Sequence, residues 1–198
     1  MNVMASNDGF VWNLKFTIST KGAAGSPGLA YNSVAKTTFI AWSGDDPRNY
    51  LNITQSNRPA LNVWINKQTI WTQVSVYGPS LAFGLGLLFI AWADDTLNGS
   101  LYAATTKDGG ASFSMQVALP EYSNAQPTIV FGANILILSW ESTSPNYNFS
   151  PSVAFDADSF LWIISEKDIP NYYRQFRKMI IAWQADIAVY GLFPKPSL

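Results

Sequence analysis

Short apolar, β-rich runs punctuated by Gly, Pro, Asn, Asp and Ser clusters fill most of this chain, and they fall into a repeated order. A first kind of run follows a proline. Pro27-Gly-Leu-Ala-Tyr31, Pro79-Ser-Leu-Ala-Phe83 and Pro127-Thr-Ile-Val-Phe131 share it, and Pro170-Asn-Tyr-Tyr173 is a fourth copy. Each leads through a turn to a second run ending in tryptophan: Phe39-Ile-Ala-Trp42, Phe89-Ile-Ala-Trp92, Ile137-Leu-Ser-Trp140 and Ile180-Ile-Ala-Trp183. The tryptophans follow one another at intervals of 50, 48 and 43 residues. Repetition at this period points to radial or stacked arrays of one supersecondary unit. Proline at the start of a strand is tolerated because no ladder donor is needed there.

Polar loops follow each tryptophan, and after them comes a second hairpin. Leu51–Thr54 leads to Leu61–Trp64, Leu101–Ala104 to Phe113–Val117, and Ser152–Phe155 to Phe160–Ile164. The N-terminus supplies a further second hairpin, Asn2–Ala5 with Val11–Leu14. Four first hairpins and four second hairpins therefore exist, but the chain starts with a second and nearly ends with a first. The expected architecture is all-β, a small β-propeller of about four four-stranded blades. The N-terminal outer strands would pair with the C-terminal blade and close the ring, leaving only short protected edges. In this single domain, 1–20 form the second hairpin of the last blade, and 26–76, 78–119 and 126–167 form blades 1 to 3. The first hairpin of the last blade is 169–184, and 185–198 is a tail.

Composition narrows function mostly by exclusion. Charged residues are 13% of the chain, against roughly a quarter in ordinary globular proteins, and the net charge is −1. That leaves no electrostatic footprint for nucleic acid. The chain has no cysteine and no histidine. Disulfides, zinc-thiolate sites and every histidine-dependent nucleophilic triad are thereby excluded. No apolar run reaches the roughly 20 residues of a membrane-spanning helix, so no transmembrane segment is expected. Residues 1–8 lack a basic start and an apolar stretch, so no signal peptide is read. The compartment stays open, and a secreted or surface-associated role is compatible with it. Eight tryptophans in an aromatic share of 15% are read first as packing between sheets.

One segment carries a family signature. Thr106-Lys-Asp-Gly-Gly-Ala-Ser-Phe113 has the form Ser/Thr-x-Asp-x-Gly-x-Ser/Thr-aromatic and falls between the strands of a second hairpin. It resembles the Asp-box (BNR repeat) of sialidase-like β-propellers. The resemblance implies a structural turn distant from any catalytic face, with Asp108, and by position Asp8 and Asp158, holding turns. Other copies depart from the pattern: 6–12 is one residue short, 156–162 lacks the glycine, and 56–64 lacks the aspartate.

The resemblance also implies what a sialidase would need, namely three converging arginines and a tyrosine–glutamate pair. Only Arg48, Arg58, Arg174 and Arg177 are present, and they do not fall at equivalent places in three blades. The expectation is a non-catalytic protein with no cofactor and no metal site. The post-tryptophan loops remain as the candidate site: Asp45, Arg48 and Tyr50; Asp94, Asp95 and Asn98; Glu141, Asn146 and Tyr147. Carboxylates and amides beside aromatic rings suit sugar recognition, and repetition adds avidity. A lectin-like recognition propeller with a glycan partner is therefore the leading expectation. A self-assembling homo-oligomer or filament protein is the second reading. A degenerate sialidase-like glycoside hydrolase, using loop carboxylates such as Asp46 and Asp186, is the third.

Overall fold

A computed structural model describes residues 1–6, 9–12, 14–18, 22–56, 63–96, 99–132, 135–141, 152–155 and 161–164. Its described residues are all-β. Strands β1 (Asn2–Ala5) and β2 (Leu14–Thr17) form an N-terminal hairpin. Strands β3 (Gly28–Asn32), β4 (Thr37–Ser43), β5 (Tyr50–Ser56) and β6 (Trp64–Val74) make a four-stranded antiparallel meander, here called sheet I. Strands β7 (Ser80–Gly84), β8 (Leu87–Ala93), β9 (Ser100–Thr106) and β10 (Ser114–Tyr122) make sheet II in the same order. Two hairpins follow: β11 (Thr128–Gly132) with β12 (Ile135–Ser139), and β13 (Ser152–Phe155) with β14 (Leu161–Ile164).

Turn chemistry explains the connections. Between β7 and β8 only Leu85 and Gly86 intervene, both at positive φ (52° and 73°). That is the two-residue turn whose twist matches the flanking strands. Between β3 and β4 the Asn32 side chain accepts the Val34 and Ala35 amides, both at 3.0 Å, folding the turn onto itself.

Alternation along the second strand of each sheet decides how the sheets stack. On β4, Phe39 and Ala41 face sheet II, while Ile40 and Trp42 face the opposite way. On β8, Leu88, Ile90 and Trp92 face back to sheet I, joining Leu51, Ile53 and Leu81 in one core. Ala82 and Ala91 look forward to Ile129 on β11, with Phe89 stacked on Phe131 at 6.0 Å. Both faces of each sheet are therefore covered by apolar partners, which is why these strands read as continuous apolar runs. Trp42 and Trp92 are buried to 2% and 1% exposure.

The other face of sheet I is covered by the N-terminal hairpin. Val3 of β1 is buried against Ile40 and Trp42. This is the counterpart of Leu51 and Ile53 on β5, which lie in one cluster with Ile90 and Trp92 of the next sheet.

The starts of β3, β7 and β11 converge closely. A side chain on Gly78 (φ +92°) would run into the Ser26 carbonyl oxygen, and one on Gly28 into that of Pro79. Only glycine permits that approach. The Gln126 side-chain amide donates to both the Ser26 carbonyl (3.2 Å) and the Pro79 carbonyl (2.7 Å), joining the entry to the third hairpin pair to both preceding sheets. The Ile129 amide adds a bond to Ser80 Oγ at 3.1 Å.

Several strands differ from the sequence reading. The partner of β1 is 14–17, three residues beyond the expected 11–14. The fourth strand of sheet I runs from 64 to 74, beginning where it was expected to end. Its two register shifts, one opposite Tyr50 and Leu51 and one opposite Ile53 to Gln55, carry extra residues that blur its period. β10 likewise extends to Tyr122, beyond the 119 expected for blade 2. The expected four-stranded third blade is seen as two separate two-stranded sheets. Among the described residues the sheets do not close into a ring. The 169–184 hairpin, its expected pairing with residues 2–5, and the 185–198 tail lie outside the described residues.

Candidate functional site

The loops after Trp42 and Trp92 emerge at one end, where Trp140 and Glu141 also lie, because β3, β7 and β11 start together there and β4, β8 and β12 return to it. The first two loops share one backbone plan. In the first, the Gly44 amide donates to the Tyr50 carbonyl at 2.8 Å, Asn49 N to Asp46 O at 3.0 Å, and Ser75 N to Asn49 O at 3.1 Å. In the second, Asp94 N donates to Ser100 O at 3.0 Å, Gly99 N to Thr96 O at 3.0 Å, and Ser123 N to Gly99 O at 2.8 Å. Gly44 thus corresponds to Asp94, Asp46 to Thr96, Asn49 to Gly99 and Tyr50 to Ser100. Asn49 and Gly99 share the left-handed conformation, at φ 52° and 61°.

Each loop uses one carboxylate to satisfy its own amides, drawn from different positions. Asp46 Oδ1 accepts from Arg48 N (3.1 Å) and Tyr50 N (3.4 Å). Asp94 Oδ1 accepts from Thr96 N (3.2 Å), Thr96 Oγ1 (2.6 Å) and Ser100 N (2.9 Å), and the residue is only 8% exposed. Asp94 is thus engaged in holding its loop. Asp45, Arg48 and Asp95 are exposed, and Tyr50 and Glu141 are half-buried. Asn98, Asn146 and Tyr147 lie outside the described residues.

One aromatic side chain was missed by the sequence reading. Trp71 on β6 is 71% exposed and meets the Tyr50 ring edge-on, with ring centroids 5.1 Å apart. The register shift responsible pairs Tyr50 with Val74 and Leu51 with Ile70, so residues 71–73 bulge beside the first loop. A bulge re-aims a side chain that regular pleating would fix. Sheet II carries Ser100 where sheet I has Tyr50, so the second loop lacks this aromatic pair.

At the opposite end, the 106–113 turn is a closed polar unit. Asp108 accepts from Thr106 Oγ1 (2.7 Å), from Ser112 N (2.9 Å) and from Ser112 Oγ, while Gly110 N donates to Thr106 Oγ1 at 3.0 Å. These bonds, led by that from the Ser112 hydroxyl, hold the Asp108 carboxyl well below the usual carboxylate range. Gly109 and Gly110 sit at positive φ, and Phe113 packs against the main core.

Among the described residues there is no cluster of three or more metal-ligating side chains, and no helix long and apolar enough to cross a membrane. A scan against protein-family models finds no match to this chain, and a search of curated proteins finds none.

Proposed function

We propose that this protein is a non-catalytic, carbohydrate-binding recognition module built as a four-bladed propeller of the sialidase-like kind. The observation that carries the binding reading is the exposed Trp71 ring braced by Tyr50, at the first post-tryptophan loop, whose Asp45 and Arg48 are exposed too. An aromatic face takes the C–H surface of a sugar ring. Flanking carboxylate and guanidinium groups grip its hydroxyls with charge-assisted bonds. Asp95 and Glu141 extend the same end of the molecule toward the later repeats.

The ring reading is supported by the N-terminal hairpin. Its Val3 meets Ile40 and Trp42 as Leu51 and Ile53 of sheet I meet Ile90 and Trp92 of sheet II. That packing is what the outer half of a preceding blade would supply. The family reading draws support from the bonded Thr106–Ser112 turn.

A glycan array probed with the full chain, with its mass measured in solution, tests the function. Binding to a defined glycan class that Trp71→Ala or Asp45→Ala abolishes is the expected result. Binding unaffected by both changes would move the site elsewhere. Concentration-dependent mass without glycan binding would favour the assembly reading, and turnover of an aryl glycoside would favour a hydrolase.

A further inference from the structure

A polar recess lies on the flank between sheets I and II, reaching from the 71–73 bulge to the 110–113 segment. Its volume is about 260 Å³, just below the roughly 300–1,000 Å³ of drug-sized sites, so it suits one small ring. Gln68 and Gln73 of β6 form one side and Gln116 of β10 the other. Ile70, Phe113 and Trp92 supply apolar surface. No charged side chain lines it among the described residues.

The two walls are tied by one amide–amide bond. Gln73 Nε2 donates to Gln116 Oε1 at 3.2 Å. That bond leaves Gln73 its carbonyl oxygen and Gln116 its amide hydrogens, an acceptor and a donor on neighbouring groups. A pair of adjacent hydroxyls, each able to give and accept, is complementary to such a pair. Beneath them, the Trp92 indole N–H is buried with no hydrogen-bond partner among the described residues, and its residue is 1% exposed. The equivalent position in sheet I is closed differently: Lys67, the counterpart of Gln116, sits 5.7 Å above the Trp42 ring.

We infer that this inter-sheet recess binds a single ring of an uncharged sugar, held by Gln73 and Gln116 over Trp92. Thr72 and Gln73 share the bulge with Trp71, but Trp71 itself does not line the recess. Titration of the full chain with methyl glycosides of glucose, galactose and mannose, and separately with N-acetylneuraminic acid, tests it by ligand-observed NMR. At least one neutral glycoside should bind saturably. Gln116→Leu should weaken it about tenfold, the loss of one to two hydrogen bonds. Gln116→Glu, which keeps shape and the acceptor for Gln73 but removes the donor, should weaken it too and guards against misfolding of the leucine variant. Asp45→Ala, at a residue outside the recess lining, should leave this binding unchanged, so failure here and failure of the loop site are told apart. No saturable binding of any neutral glycoside, binding insensitive to both Gln116 changes, or preference for the anionic sugar would each overturn the assignment.

Discussion

Sheets I and II follow the same strand order with the same loop hydrogen bonds and one shared exposed carboxylate, Asp45 or Asp95, yet they differ at the positions around it. Gly44 and Asp46 in one become Asp94 and Thr96 in the other, so the amide at the head of the third strand finds a carboxylate either way. Tyr50 becomes Ser100, and Lys67 becomes Gln116. What is held constant is satisfaction of buried backbone groups; what varies is the chemistry offered to solvent. The repeat is thus a scaffold that fixes backbone and frees side chains, and the two sheets present different surfaces on one frame.

Truncating the cores would test the frame most severely. Ile40→Ala and Ile90→Ala each remove a fully buried side chain and should each cost about 2–5 kcal/mol in chemical denaturation. Near-equal costs would mean that the N-terminal hairpin covers sheet I as firmly as sheet I covers sheet II. A far smaller cost at Ile40 would break the equivalence.

The loop exchange comes next. Asp94→Gly should destabilise by about 1–3 kcal/mol, because it strands the partly buried Thr96 and Ser100 amides. Adding Thr96→Asp, which puts a carboxylate where sheet I has Asp46, should recover part of that loss. No recovery in denaturation midpoints would show that the two loops are not interchangeable.

Acid separates the sheets more gently. The second sheet's 106–113 turn depends on ionised Asp108, whereas the corresponding sequence of sheet I lacks the aspartate. Because the folded-state pKa is depressed, the stabilisation is fully present above the ordinary carboxylate pKa, about 3.9. It is lost as pH falls through the lower folded value. The melting-temperature gap between wild type and Asp108→Asn should therefore hold steady above about pH 5 and narrow below about pH 4. A gap that widens in acid would reverse the assignment. The smallest effect belongs to Lys67→Gln, which makes sheet I resemble sheet II. It should cost no more than about 0.5–1 kcal/mol, the worth of an exposed cation–π contact, in the same denaturation assay.

The sequence was most readable where packing repeats. The Ile-Ala-Trp phrase marked β4 and β8, and burial of Trp42 and Trp92 follows from both faces of those strands being covered. It was least readable where a strand bends. The expected strand ends at Trp64 and leaves Asn66 to Gln73 out, because register shifts and a positive φ at Asn66 (55°) interrupt any two-residue period. Trp71 was hidden for that reason. Asp94 misled differently: beside the exposed Asp95 it looks like one of a pair of surface carboxylates. Only the bonds to Thr96 and Ser100 reveal it as part of the loop's interior. Nothing local in the sequence reports the pairing of Gln73 with Gln116, which arises from how two sheets stack.

Gln126 carries a consequence for cooperativity. Its amide reaches carbonyls 100 and 47 residues earlier in the chain, so the two bonds exist together only where sheets I and II lie side by side. One side chain of the third unit thus ties down the entries of the two before it. Displacing any one of the three would cost the other two a shared fastening.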